Sequence, residues 1–95
     1  MDVYVITYDI ANDKRRAKVF ETLESYGKHL QYSVFWCTLS KTKHARLVAA
    51  LGKLIDDGED QVLLCCLGPE RGRAKRAVES LGRGFTPPAP GPVIV

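Results

Sequence analysis

The stretch HLQYSVFWCTL, residues 29–39, decides between two architectures. Rich in aromatic and β-branched residues, it reads as strand. Taken as one strand, it is the middle member of a strand-helix-strand-helix-strand order, an open α/β or α+β sandwich. Broken near Gln31 to Ser33, it supplies two strands, and the chain becomes a ferredoxin-like βαββαβ sandwich of the α+β class. The break is favoured, because Gln31 and Ser33 interrupt an otherwise apolar run. A buried amide and hydroxyl there would need partners, so the two residues are expected to order a turn or a neighbouring loop.

Working outward toward the N-terminus, DVYVITYD (2–9) is rich in β-branched and aromatic residues and short enough to be a strand, and the polar residues after it offer a helix start at Asn12 or Asp13. Ala17, Phe20, Leu23 and Tyr26 recur at helical spacing, which predicts a helix over 13–26, with Gly27 as a left-handed C-terminal cap. In the other direction, Ser40 or Thr42 caps a second helix with apolar positions Ala45, Val48, Leu51, Leu54 and Ile55, ending near Asp57 and Gly58. QVLLCCL (61–67) reads as a buried strand closed by Gly68 and Pro69, and residues 71–81 carry a weaker helical pattern through Ala74, Ala77, Val78 and Leu81. The tail FTPPAPGP cannot be regular helix or central strand, leaving a short terminal strand within Pro92–Val95.

Ninety-five residues suit a single domain, 1–95, with a core over about 1–82 and a proline-rich tail over 83–95. A multidomain enzyme is excluded. No apolar run is long enough to span a bilayer and no secretory leader is evident, so a cytoplasmic protein with no membrane partner is expected. Cys37, Cys65 and Cys66 are odd in number and show no zinc-ligand spacing; they read as reduced core residues. Both alternating sets of residues in 2–9 and 61–67 are largely apolar, so both sheet faces need cover. Two helices cover one face. The other is expected to meet a second subunit related by a two-fold axis, the alternative being that the third helix and the tail fold back over it.

The net charge of +3 is too small to imply nucleic acid, but its distribution is uneven. Lys14, Arg15, Arg16 and Lys18 form one basic group and Arg71, Arg73, Lys75 and Arg76 another, while Asp56, Asp57, Glu59 and Asp60 gather in one loop. Cations in the first turn of a helix oppose the helix dipole, a conflict that an external phosphate resolves. Lys41, Lys43 and Arg46 repeat the arrangement at the second helix, so the two starts could line one sugar-phosphate track. Asp9 is the only carboxylate at the C-terminal end of a strand. It reads either as an Asx turn or helix cap, or as a Mg²⁺ ligand beside a phosphate, with a second Asp9 supplied across a dimer axis. No P-loop, no dinucleotide-binding glycine motif and no RNA-recognition signature occurs.

TYDIANDKRRAKVFETLESYG followed by HLQYSVFWCTL resembles the CRISPR-associated family two, or Cas-two, the small adaptation proteins. The resemblance rests on Tyr8, Asp9, Ile10, Arg15, Arg16, Tyr26, Gly27, Gln31, Ser33, Val34 and Phe35; it is clear over about residues 3–39 and looser to about 67. Trp36 stands where an acidic residue often follows Ser-Val-Phe, and only Lys28 and His29 represent the basic residue common before the Gln motif.

What the resemblance implies is a ferredoxin-like homodimer whose additional short C-terminal strand, here Val93–Val95, extends the partner's sheet. It also implies partnership with the family-one integrase in the acquisition of new spacers. Members are described as Mg²⁺-dependent endonucleases on single-stranded RNA or double-stranded DNA, with the strand-one Asp, here Asp9, as catalytic metal ligand. Two functions therefore stand side by side. One is a phosphodiesterase in which Asp9 holds Mg²⁺ and Arg15 and Arg16 stabilise developing charge. The other is a non-catalytic bridge that grips duplex DNA through Lys14, Arg16, Arg73 and Arg76. A ferredoxin-like module for small molecules or proteins is the blander third.

Overall fold

The computed structural model describes residues 1–88. Strands β1 (Asp2–Asp9), β2 (Lys28–Gln31), β3 (Val34–Leu39) and β4 (Gln61–Pro69) form one antiparallel sheet in the order β2-β3-β1-β4. Helix α1 (Asp13–Glu24) links β1 to β2, and α2 (Lys41–Leu54) links β3 to β4. This is the ferredoxin-like α+β sandwich expected. The break in 29–39 falls at Tyr32 and Ser33. Gln31 is exposed at the end of β2 rather than buried, so its amide needs no internal partner.

One sheet face packs against both helices. Ile6, Tyr8, Phe35, Cys37 and Leu39 meet Val19 and Leu23 of α1 and Leu47 and Leu51 of α2. Phe35 sits at the centre, 5.3 Å from the Phe20 ring and 6.4 Å from that of Tyr8; burying a side chain of this size contributes roughly 1.5–3 kcal/mol. Most of the expected helix positions face this core: Leu23 and Leu51 are buried, and Phe20, Tyr26, Leu54 and Ile55 pack against it. Ala17 and Ala45 are exposed, Val48 is largely exposed, and Val19 and Leu47 take the core positions.

Gly27 corrects the capping argument. Its φ is not positive, and α1 ends at Ser25 in right-handed geometry. Glycine is required there by proximity: a Cβ would lie 2.5 Å from Cys37 Sγ and 2.9 Å from Cys37 Cα, and closer still to the Trp36 carbonyl. The last turn of α1 is thereby laid directly against β3. Gly68, by contrast, does have a positive φ of 90°, at the bulge where Val3 pairs with Gly68 and Tyr4 with Cys66. β4 runs through it to Pro69 instead of stopping at Leu67.

The expected third helix over 71–81 is reduced to a single 3₁₀ turn, Arg73–Arg76. Of its apolar positions only Ala74 is buried, and Leu81 is fully exposed; so little apolar surface cannot hold a helix this short. Ala74 and Phe85 nevertheless cover part of the second sheet face, packing with Val3 and Trp36. On the rest of that face, Leu63 and Cys65 are exposed and Val5, Thr7 and Val34 are half-buried. Cys65 and Cys66 are thus surface thiols, and only Cys37 belongs to the core. The Val93–Val95 strand lies outside the described residues. No helix is long and apolar enough to cross a membrane among the described residues.

Candidate active site and nucleic-acid interface

Strand alternation puts Val3, Val5, Thr7 and Asp9 on the face turned away from the helices. Asp9 ends β1 opposite Gln61 of β4, exposed, at the edge of the uncovered part of that face. Everything just after it is fixed. Ile10 is buried in the core, and its carbonyl accepts a hydrogen bond from Arg16 Nη1 at 3.0 Å. The Ala11 N–H donates to Asp60 Oδ1 at 3.0 Å. Asn12 caps α1, its Oδ1 accepting the Arg15 N–H at 2.9 Å. The capping role belongs to Asn12, and among the described residues the Asp9 carboxylate takes part in no hydrogen bond or ion pair.

The basic first turn is less free than its sequence suggests. The Arg15 guanidinium donates from Nε to Asp60 Oδ2 at 2.8 Å and from Nη2 to Glu59 Oε2 at 3.1 Å. Asp60 is the functional neighbour that sequence reasoning passed over. Its side chain has no exposed surface. The Arg15 hydrogen bond, followed by the Asp56 and Ala11 N–H groups, holds its carboxyl far below the usual carboxylate range. The same pairing with Asp60 raises Arg15 above its ordinary value. Arg16 contacts Asp13 and the Ile10 carbonyl but remains partly open, and Lys14 is exposed.

Tyr8 and Ser33 tie β1 to the β2–β3 turn, the Tyr8 N–H donating to the Ser33 carbonyl at 3.2 Å. Burial raises the Tyr8 phenol, with Ser33 and Arg16 opposing the shift. Tyr8 and Phe35 are both buried in the core, and Ser33 is half-buried in the turn above them.

Arg73 and Arg76 are not beside this group. β4 starts opposite Asp9 and ends opposite Asp2, so the 3₁₀ turn lies beyond the far end of an eight-residue strand, roughly 25 Å away. α2 also starts at that far end, after Leu39, which pairs with Asp2. The two basic helix starts therefore cannot line one short track. Instead one end of the sheet carries Lys14 and Arg16 with Asp9, while the α2 start, with Lys41 and Lys43, and the 3₁₀ turn, with Arg73 and Arg76, lie at the opposite end on different faces.

No cluster of three or more His, Cys, Asp or Glu residues able to hold a metal exists among the described residues. Asp9 offers one open carboxylate per chain. That suits Mg²⁺, which keeps several waters and takes only one or two carboxylates, provided the ion is shared between two chains.

The sequence profile of the CRISPR associated protein Cas2 family matches residues 1–73. A CRISPR-associated endoribonuclease Cas2 3 of Synechocystis sp. is 42% identical over 95 residues, covering 100% of both chains. A CRISPR-associated endoribonuclease Cas2 of Geobacter sulfurreducens is 37% identical over 85 residues, 90% of this chain and 88% of the relative. Among solved structures, the fold is similar to a hypothetical protein from Thermus thermophilus, with a TM-score of 0.77 and 33% identity over 92% of this chain and 98% of that one. Streptococcus pyogenes Cas2 gives a TM-score of 0.73 and 28% identity over 84% of this chain and 99% of that one. With the profile spanning three-quarters of the sequence and a relative 42% identical over its whole length, the chain belongs to the CRISPR associated protein Cas2 family.

Proposed function

We propose that this chain is a metal-dependent endonuclease of the CRISPR adaptation machinery. It acts as a two-fold homodimer in which Asp9 from each of two copies shares one Mg²⁺. The observation that carries the reading is an exposed, unpaired carboxylate on a rigidly held strand end, at the border of an uncovered apolar face. Docking two such faces about a two-fold axis brings the two carboxylates toward each other. Left without a cation, they would repel, which disfavours ionising both.

When bound there, Mg²⁺ supplies Lewis acidity toward a phosphate oxygen and lowers the pKa of a coordinated water. The chain's own residues do the rest. Asp9 fixes the position of the reacting phosphate relative to the sheet. Lys14 and the open side of Arg16, at the α1 N-terminus, attract the phosphate and offset the charge that develops on it. Arg15 is withdrawn from this role by Asp60 and Glu59. Single-stranded RNA is the favoured substrate, in keeping with the endoribonuclease names of the Synechocystis and Geobacter relatives. The role in acquiring spacers and the partnership with the family-one integrase rest on family membership.

A second reading has its own observation. The opposite pole, where Arg73 and Arg76 follow the end of β4, lies far from Asp9, so it suits a duplex backbone held without cleavage. In a dimer the two poles would act as a DNA bridge between integrase units. One experiment separates the readings: wild type and Asp9→Asn are incubated with single-stranded RNA and with duplex DNA, each in Mg²⁺ and in EDTA. RNA cleavage by wild type in Mg²⁺ alone, abolished in Asp9→Asn at unchanged dimer mass, is the expected result. Salt-sensitive duplex binding by both proteins with no cleavage overturns the nuclease and leaves the bridge.

A further inference from the structure

Asp60 lies in a loop distant in sequence from every residue assigned to the site, yet its carboxylate is the hub of the ground beneath Asp9. Oδ1 accepts the Ala11 N–H at 3.0 Å and Arg15 Nη2 at 3.3 Å; Oδ2 accepts Arg15 Nε at 2.8 Å and the Asp56 N–H at 2.8 Å. These contacts join the β1–α1 loop, the first turn of α1 and the α2–β4 loop through one side chain with no exposed surface. The residue after Asp60 is Gln61, the register partner of Asp9. Asp9 is thus clamped from both sides, by the β1–β4 ladder across from it and by the Asp60 hydrogen bond two residues downstream.

We propose that Asp60 is the positioning residue of the site: it sets the β1–α1 loop so that the Asp9 carboxylate meets the shared cation, and it confines Arg15 to a structural role. The inference rests on the metal-nuclease reading of Asp9. A ligand presented from a two-fold site must have the same geometry in both copies, so small shifts of the loop are felt twice. Supporting residues that hold a metal ligand in place typically change metal affinity or activity by roughly 10–100-fold when altered.

Asp60→Asn keeps the size of the side chain and one carbonyl acceptor but loses the charge and half the acceptor capacity. Three quantities are measured well below the melting temperature of each protein: Mn²⁺ binding, by the EPR signal of the free aqua ion; the Mg²⁺ concentration needed for half-maximal cleavage of a single-stranded RNA; and dimer mass. The expected result is Mn²⁺ binding about 10–100-fold weaker with a parallel rise in the Mg²⁺ requirement, at unchanged dimer mass. Should Asp60→Asn fail to fold, Arg15→Lys, which keeps the charge but gives up the two-pronged contact, carries the same expectation. Unaltered Mn²⁺ binding and Mg²⁺ requirement with only a lowered melting temperature would make Asp60 a plain structural staple and overturn the proposal. Asp9→Asn is run alongside: if it binds Mn²⁺ as well as wild type, the metal site itself is wrong, a failure distinct from that of Asp60.

Discussion

A carboxylate with no exposed surface is costly unless it is fully hydrogen-bonded, and Asp60 meets four donors from Ala11, Arg15 and Asp56. Those donors favour its charged form, so its pKa is depressed on folding. A depressed carboxylate stabilises the fold above its unfolded value of about 3.9 and ceases to do so as pH falls toward the folded value. The melting-temperature gap between wild type and Asp60→Asn should therefore be widest above about pH 5 and close progressively toward pH 2. A gap that stays constant across that range would mean that the charge of Asp60 is not what holds the loop. The sequence shows the acidic loop and the basic helix start as two separate runs. That they meet, with Arg15 held by Asp60, depends on a contact across 45 positions, which no local pattern encodes. Asp9 stands out as a candidate because a carboxylate ending an apolar strand is conspicuous wherever the strand lies.

The elements were readable where one signal dominates. Short runs rich in β-branched and aromatic residues gave the strands, and the polar Gln31 to Ser33 interruption gave the hairpin that makes the sheet four-stranded. The helix faces were read in large part, through Phe20, Leu23, Leu51 and Leu54; Ala17 and Ala45 count as apolar but bury little, and Val19 and Leu47 take core positions the spacing did not single out. The third helix failed because, of its four apolar positions, only the small Ala74 is buried. Gly27 was recognised as a helix-end glycine, but the physical demand on it is contact with β3 and not backbone handedness. Gly27→Ala tests this. An added methyl would collide with the Trp36 carbonyl and Cys37 Sγ, both anchored in a central strand, so overpacking should cost roughly 1–3 kcal/mol or more in denaturant unfolding. A glycine needed only for a cap would tolerate alanine at this non-positive φ with little change.

At the scale of the whole molecule, the second sheet face is the unresolved surface that the fold presents. Its Trp36 end is capped internally by Ala74 and Phe85, while Leu63, opposite Thr7 and one row from Asp9, and Cys65, opposite Val5, stay open. Phe85 of the tail and Ala74 therefore cover part of the face, and the rest of it is open. The poles of the molecule were not legible, since placing Arg73 and Arg76 required knowing that β4 runs away from Asp9. If the open end is the dimer contact, Leu63→Glu puts a charge at its centre. Losing a central apolar anchor should weaken association by about 2 kcal/mol, roughly 30-fold in Kd, read by light scattering across a dilution series. The two neighbouring thiols give an internal control within wild type. Cys65 pairs with Val5 on the open face, whereas Cys66 pairs with Tyr4 on the helical side. Dimerisation through the open face should slow alkylation of Cys65 as protein concentration rises and leave Cys66 reacting at a constant rate. Equal protection of both thiols would place the contact along the β4 edge. Protection of neither, together with an unchanged mass for Leu63→Glu, would remove the two-fold face-to-face dimer and with it the shared metal at Asp9.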